Sequence, residues 1–187
     1  VITSSVEIAG SAFAAVADET VKGRLQDAVE DKIVAVDLTA QGVTDLGSII
    51  GGDTGGPNYQ IYVNGSEFVP ARYPNATTLW VGEVLDKGPI NGGAEAGTNL
   101  DSTGVEFKMQ DFRPTLWQND GNIWLKGSMY AEWSIKNLRV AEIREESIKL
   151  EGSAEYGARS LESNRYNYFS ISWFSNRFTT SISIIDG

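Results

Sequence analysis

The 187-residue chain contains no cysteine and no histidine. Disulfides, thiolate nucleophiles, Ser-His-Asp triads and ordinary zinc sites are thereby excluded together. Any chemistry has to run on carboxylates, Lys, Arg, Tyr or hydroxyls. Cations are scarce as well: 15 Lys and Arg stand against 25 Asp and Glu, a net charge of −10. Phosphate-binding faces draw their affinity from Lys and Arg, so nucleic acid is not an expected partner. An anionic membrane surface would repel the chain. No run of about 18 apolar residues exists, which excludes a transmembrane helix, and no membrane insertion is expected.

What is present suits a folded domain. Hydrophobic residues make up 41% and aromatics 10%, with five Trp, seven Tyr and seven Phe, so low hydrophobicity cannot leave the chain disordered. Length suits a single domain spanning 1–187. A Cys-free chain rich in Ser, Thr, Asn and Gly fits a bacterial exported protein, and secretion or the cell surface is the expected location. Val1 in place of a start methionine suggests a piece of something longer.

In DETVKGRLQDAVEDK, residues 18–32, Val21, Leu25, Ala28 and Val29 recur at helical spacing, with Asp18 and Glu19 placed to cap and complement the amino terminus. One short helix is expected there, with Gly23 inside it. From residue 33 the pattern changes to short β-rich runs: KIVAVDL, YQIYVNG, EFVPARYP, TTLWVGEV, GVEFKM, NIWLKGSM, EWSIKNLRVAEI, SIKLEG and RYNYFSISWF. Turn signals about every 8–12 residues predict an all-β fold, a sandwich or distorted barrel. Asn64-Gly65 and Asp120-Gly121 between apolar runs predict hairpins, the first bringing Tyr62 and Phe68 near one another. The Gly-rich stretches 42–57 and 86–104 read as two long loops, the usual place for binding on a β scaffold.

Residues 62–75, YVNGSEFVPARYPN, join the Asn64-Gly65 turn to Ala71-Arg72-Tyr73-Pro74-Asn75, where Pro74 ends a strand because it cannot donate to a ladder. Upstream lie Arg24-Leu25, KIVAVDL and Gly42; downstream come Trp117, WLKG at 124–127, Trp133, SIKL, EYG at 155–157 and RYNYF. In this order the motifs, over residues 18–169, resemble the accessory or inserted β-domain of bacterial right-handed parallel β-helix proteins. These are the pectate-lyase-like glycoside hydrolases and polysaccharide lyases. The resemblance implies a fragment of a larger protein whose β-helix carries the catalytic acids. It also implies a polysaccharide or oligosaccharide ligand and a neighbouring β-helix domain as partner. A β-helix needs several stacked coils, more than the 18 residues after Phe169 supply.

Aromatic faces stack on sugar rings while Arg and Asn hydrogen-bond hydroxyls, which makes Arg72, Tyr73, Asn75, Trp117, Trp124 and Trp133 the candidate carbohydrate-binding residues. Core packing explains most of the Trp, and Arg72 is better suited to a structural bridge from the turn to a buried carboxylate than to ligand contact. Glu83, Glu106, Asp111 and Glu132 lie beside β segments. Glycan cleavage would need two such acids about 5–9.5 Å apart, a distance that sequence does not supply. No catalytic residue is therefore assigned. No cofactor is expected, with calcium left open through Asp53, Asp86 and Asp101 in the loops. The favoured role is a non-catalytic accessory domain that covers a glycan cleft or holds carbohydrate weakly. The alternatives are a structural or adhesion-type surface module and a small carboxylate-dependent glycan-cleaving enzyme.

Overall fold

The computed structural model describes residues 5–23, 30–45, 49–51, 56–57, 60–68, 72–74, 76–111, 113–117, 123–160, 168–173 and 181–185. In chain order the strands begin with β1 (Ala14–Ala15), β2 (Ile33–Asp37), β3 (Ile49–Ile50), β4 (Gly56–Pro57), β5 (Ile61–Val63), β6 (Ser66–Phe68), β7 (Arg72–Tyr73) and β8 (Leu79–Trp80). They continue with β9 (Val84–Lys87), β10 (Val105–Lys108), β11 (Ile123–Ser128), β12 (Ile135–Ile143), β13 (Ser147–Leu150), β14 (Tyr168–Trp173) and β15 (Ser181–Ile185). Among the described residues one short α-helix, α1 (Glu19–Lys22), accompanies them. The protein is all-β, and a sandwich or distorted barrel is compatible with its sheets. It divides into two compact units, Val1–Leu46 with Asn176–Gly187, and Gly47–Ser175.

The first unit holds α1 and an antiparallel sheet in the order β1-β2-β15. Asp18 caps α1, its Oδ1 accepting from the N–H groups of Thr20 at 2.8 Å and Val21 at 3.3 Å. The helix is shorter than the pattern predicts: Gly23 sits at its carboxyl cap, not inside it. Glycine is a weak helix former, which suits Gly23 to a helix end better than to a helix interior. Leu25, Ala28 and Val29 lie outside the described residues.

The second unit is built on an eight-stranded sheet ordered β7-β14-β11-β12-β13-β10-β9, with β8 also on β14. Alternation places Val105 and Phe107 of β10, Ile123 and Leu125 of β11, Leu138 and Val140 of β12, and Ile148 and Leu150 of β13 in one core cluster. Their register agrees, with Leu125 opposite Leu138, Phe107 opposite Ile148 and Val140 opposite Leu150. Each such side chain contributes roughly 1.5–3 kcal/mol of burial. Two irregularities keep this face apolar. Val140 and Ile143 both pack on the core although an odd spacing separates them, and the register shift between Val140 and Glu142 absorbs the extra residue. A second shift opposite Glu106 and Phe107 leaves Leu85 half exposed on β9. Val81, Met129, Ala154 and Ala158 close the core from the connecting segments.

The Asn64-Gly65 hairpin forms as predicted: both residues have positive φ, 51° and 79°, and join β5 to β6 with a two-residue turn. The expected proximity of Tyr62 and Phe68 does not follow. A two-residue turn pairs Val63 with Ser66, so the count places Glu67 opposite Tyr62 and Ile61 opposite Phe68. The Asp120-Gly121 hairpin lies outside the described residues. Of the two Gly-rich stretches, 42–57 contains the small β3-β4 pair, and 86–104 begins within β9 and includes a 3-10 turn at Gly93–Glu95.

Candidate functional site

The six sequence candidates do not assemble into one site. Arg72, Tyr73 and Trp117 belong to one cluster. On β7, Arg72 turns back on its own chain, its Nε donating to the Pro74 carbonyl at 3.0 Å and a terminal nitrogen to the Thr77 carbonyl. The guanidinium thus holds the turn that follows the strand, the structural use expected of it, although its partners are carbonyls and not a carboxylate. The Tyr73 hydroxyl donates to Asp111 Oδ2, whose Oδ1 accepts from the Arg113 N–H at 2.8 Å. Trp117 meets the Tyr73 ring edge-on at 5.6 Å between centroids, and the Arg113 guanidinium lies 5.3 Å from that ring's centre. The hydrogen bond from Tyr73 is the main reason that Asp111 is held below the ordinary carboxylate range. The same bond to Asp111, helped by burial, raises the Tyr73 phenol above its usual value. Asn75 lies outside the described residues.

Trp124 lies on the strand face opposite the fully buried Ile123 and Leu125 and is half-buried. A Cβ added at Gly51 would come within 3.4 Å of its ring, so the chain at Gly51 passes close over it.

Trp133 stands apart from both. It lies in the β11–β12 connection, where the Ser128 hydroxyl donates to the Ala131 carbonyl and the Ser134 N–H donates to the same carbonyl at 2.8 Å. That tight turn leaves Trp133 66% exposed. Its ring contacts Tyr156 edge-to-face at 5.1 Å and 80°, and Tyr156 contacts Tyr130 at 5.6 Å and 34°. Arg159 covers one face of Tyr130, 3.7 Å from the ring centre, and also donates to its hydroxyl. Three segments are fastened together here. The Arg159 N–H donates to the Met129 carbonyl at 2.9 Å, Lys136 pairs with Glu155, and the N–H groups of Asn91 and Gly92 donate to the Glu155 carbonyl at 2.8 and 2.9 Å. Beside this platform an open groove of about 520 Å³ is lined by Val84, Leu85, Lys87, Ala158, Arg159 and Ser160. Arg159 belongs to both features.

Sequence reasoning missed Tyr130, Tyr156 and Arg159. EYG at 155–157 was visible only as one link in a chain of motifs, and no local signal joins a turn at 130–133 to a segment more than twenty residues further on.

The acids are mostly engaged in ion pairs and turns. Glu83 pairs with Lys108 at 2.7 Å, and Glu106 accepts from Arg144 at 2.6 Å and from Ser147 at 2.8 Å. Glu132 is exposed beside Trp133. Burial pushes Asp86 upward, but the Gly88 N–H, Asn99 and Ser102 outweigh it, so its carboxyl is held below the usual range. Those three donors, each 2.8–2.9 Å away, make Asp86 a staple for the loop that follows β9. An oxygen surrounded by N–H and O–H donors is poorly placed to accept a cation instead. Asp101 is exposed, and Asp53 lies outside the described residues. Among the described residues no three acidic side chains converge as metal ligands.

Comparison with protein families, with curated proteins and with solved structures finds no match to this chain.

Proposed function

We propose that this chain is a non-catalytic accessory β-domain of an exported polysaccharide-acting β-helix protein, and that it holds carbohydrate weakly at the Trp133 platform. The observation that carries the reading is the 66% exposure of Trp133 in edge contact with Tyr156. A large ring left in water on a rigid turn has apolar area to offer a ligand, at roughly 25 cal/mol per Å² covered. The C–H face of a sugar is a natural complement to such a ring, and Arg159 and the neighbouring groove supply polar contacts for hydroxyls. The shape is open and, of the platform's three rings, Trp133 alone is strongly exposed, which is why the binding is weak.

The arrangement of the acids favours binding over cleavage. Among the described residues, the carboxyls with altered proton affinity, Asp86, Asp111 and Glu142, are held down, whereas a general acid for glycan cleavage is held up. The test is a fluorescence titration, backed by calorimetry, against soluble xylan, pectin, arabinan and glucan fragments with and without calcium. Saturable binding that vanishes in Trp133→Ala is the expected result. No response to any glycan overturns the reading in favour of a structural or adhesion-type role.

A further inference from the structure

The ring angles carry the reading further, to the physical form of the ligand. Trp133 and Tyr156 stand at 80° to one another, and Tyr156 and Tyr130 at 34°. A planar polysaccharide surface, such as the face of a crystalline fibril, engages rings that lie in one plane. Here such a face could rest on one ring only, because seating it on Trp133 turns Tyr156 edge-on. Arg159 already covers one face of Tyr130. A single glycan chain has no such restriction, since its successive sugar rings can rotate about the linkages to meet differently inclined aromatics.

A glycine lies directly against the middle ring. Gly92 is extended, with φ −131° and ψ 163°, a conformation open to any residue, so no backbone requirement explains the missing side chain. A Cβ at this position would lie 2.9 Å from Tyr156 Cε1, closer than such atoms approach, and 3.0 Å from Glu155 Cγ, a tight contact. The chain around Gly92 is also fixed, its N–H held by the Glu155 carbonyl at 2.9 Å. The Tyr156 ring therefore occupies the space that a side chain at Gly92 would take.

We infer that the platform selects a single, soluble glycan chain over a crystalline polysaccharide surface, and that Gly92 is the positioning residue that fixes this selectivity through Tyr156. The inference rests on the carbohydrate reading of the Trp133 platform. The test compares wild type, Trp133→Ala and Gly92→Ala in two assays: titration with soluble xylan and glucan oligosaccharides, and depletion from solution by microcrystalline cellulose and by chitin. Near-ultraviolet circular dichroism reports the Trp133–Tyr156 contact, and thermal melting reports the fold. Wild type is expected to bind a soluble oligosaccharide saturably and to be depleted by the crystalline solids no more than Trp133→Ala. Gly92→Ala is expected to change the aromatic dichroism and to weaken oligosaccharide binding about threefold or more while melting cooperatively. The double variant with Tyr156→Ala should lose the dichroic response to the Gly92 change. Trp133-dependent retention on the crystalline solids overturns the selectivity and leaves the carbohydrate reading standing. Absence of binding in both assays overturns that reading and the selectivity with it. Unchanged dichroism and affinity in Gly92→Ala overturn the role of Gly92.

Discussion

Two aromatic clusters in the same unit arrange nearly the same residue types differently. Around Tyr73, a Tyr, a Trp and an Arg meet at 5.3–5.6 Å, and an aspartate consumes the phenol hydrogen. Around Tyr156, two Tyr, a Trp and an Arg meet at 3.7–5.6 Å, the carboxylate nearby is paired to Lys136, and the Trp is left in water. Ring chemistry is shared. What separates the two is the partner of the polar group and the exposure of the Trp, half-buried for Trp117 and 66% for Trp133. Aromatic and arginine content alone therefore does not decide whether a ring is left exposed.

The largest effect should come from removing the exposed ring. Trp133→Ala is expected to weaken glycan binding at least about tenfold, or 1.4 kcal/mol and more, as for a central contact residue. Its stability should fall by less than about 1 kcal/mol, since only an exposed edge contact is lost. Calorimetry and urea unfolding together check this. At the other cluster the pattern should reverse. Tyr73→Phe deprives Asp111 of its side-chain donor, leaving the Arg113 N–H, and should cost about 1–2 kcal/mol of stability, with glycan affinity unchanged within twofold. Equal effects of the two substitutions on both quantities would erase the distinction.

Arg159→Ala should have a smaller effect on binding, about 0.5–1 kcal/mol, by uncovering Tyr130 and removing a polar wall of the groove. The titration of the Tyr73–Asp111 pair gives the subtlest comparison. Asp111 is depressed in the folded state, so its contribution is complete above the ordinary Asp range near pH 4 and is lost as pH falls below it. Tyr73 is raised, so its contribution is complete below about pH 10 and is lost as pH rises beyond that. The melting-temperature gap between wild type and Asp111→Asn should therefore shrink below pH 4, and one late-titrating tyrosine should disappear from the absorbance titration of the variant.

Sequence legibility followed the range of the interaction. Asn64-Gly65 encodes its turn in two adjacent residues, and Asp18 caps the helix within three, so both could be read directly. Alternation in β10 to β13 revealed strands, because a period of two needs no knowledge of the partner. It could not show which face Trp124 would take, nor that a bulge would return Ile143 to the core after Val140. The Tyr73–Asp111 contact spans 38 residues and the Arg159–Tyr130 contact 29, and strand order alone creates such neighbours. Trp133 could be named from composition and spacing. Its companions could not, since Tyr130, Tyr156 and Arg159 become a set only when the β11–β12 turn meets the segment after β13.

The most direct test of the difference between the two clusters is a glycan titration followed by tryptophan fluorescence in wild type, Trp117→Ala and Trp133→Ala. Saturable change in wild type and Trp117→Ala, with none in Trp133→Ala, is the predicted result. A response that survives in Trp133→Ala, or that is lost with Trp117 in a variant that still melts cooperatively, would contradict it.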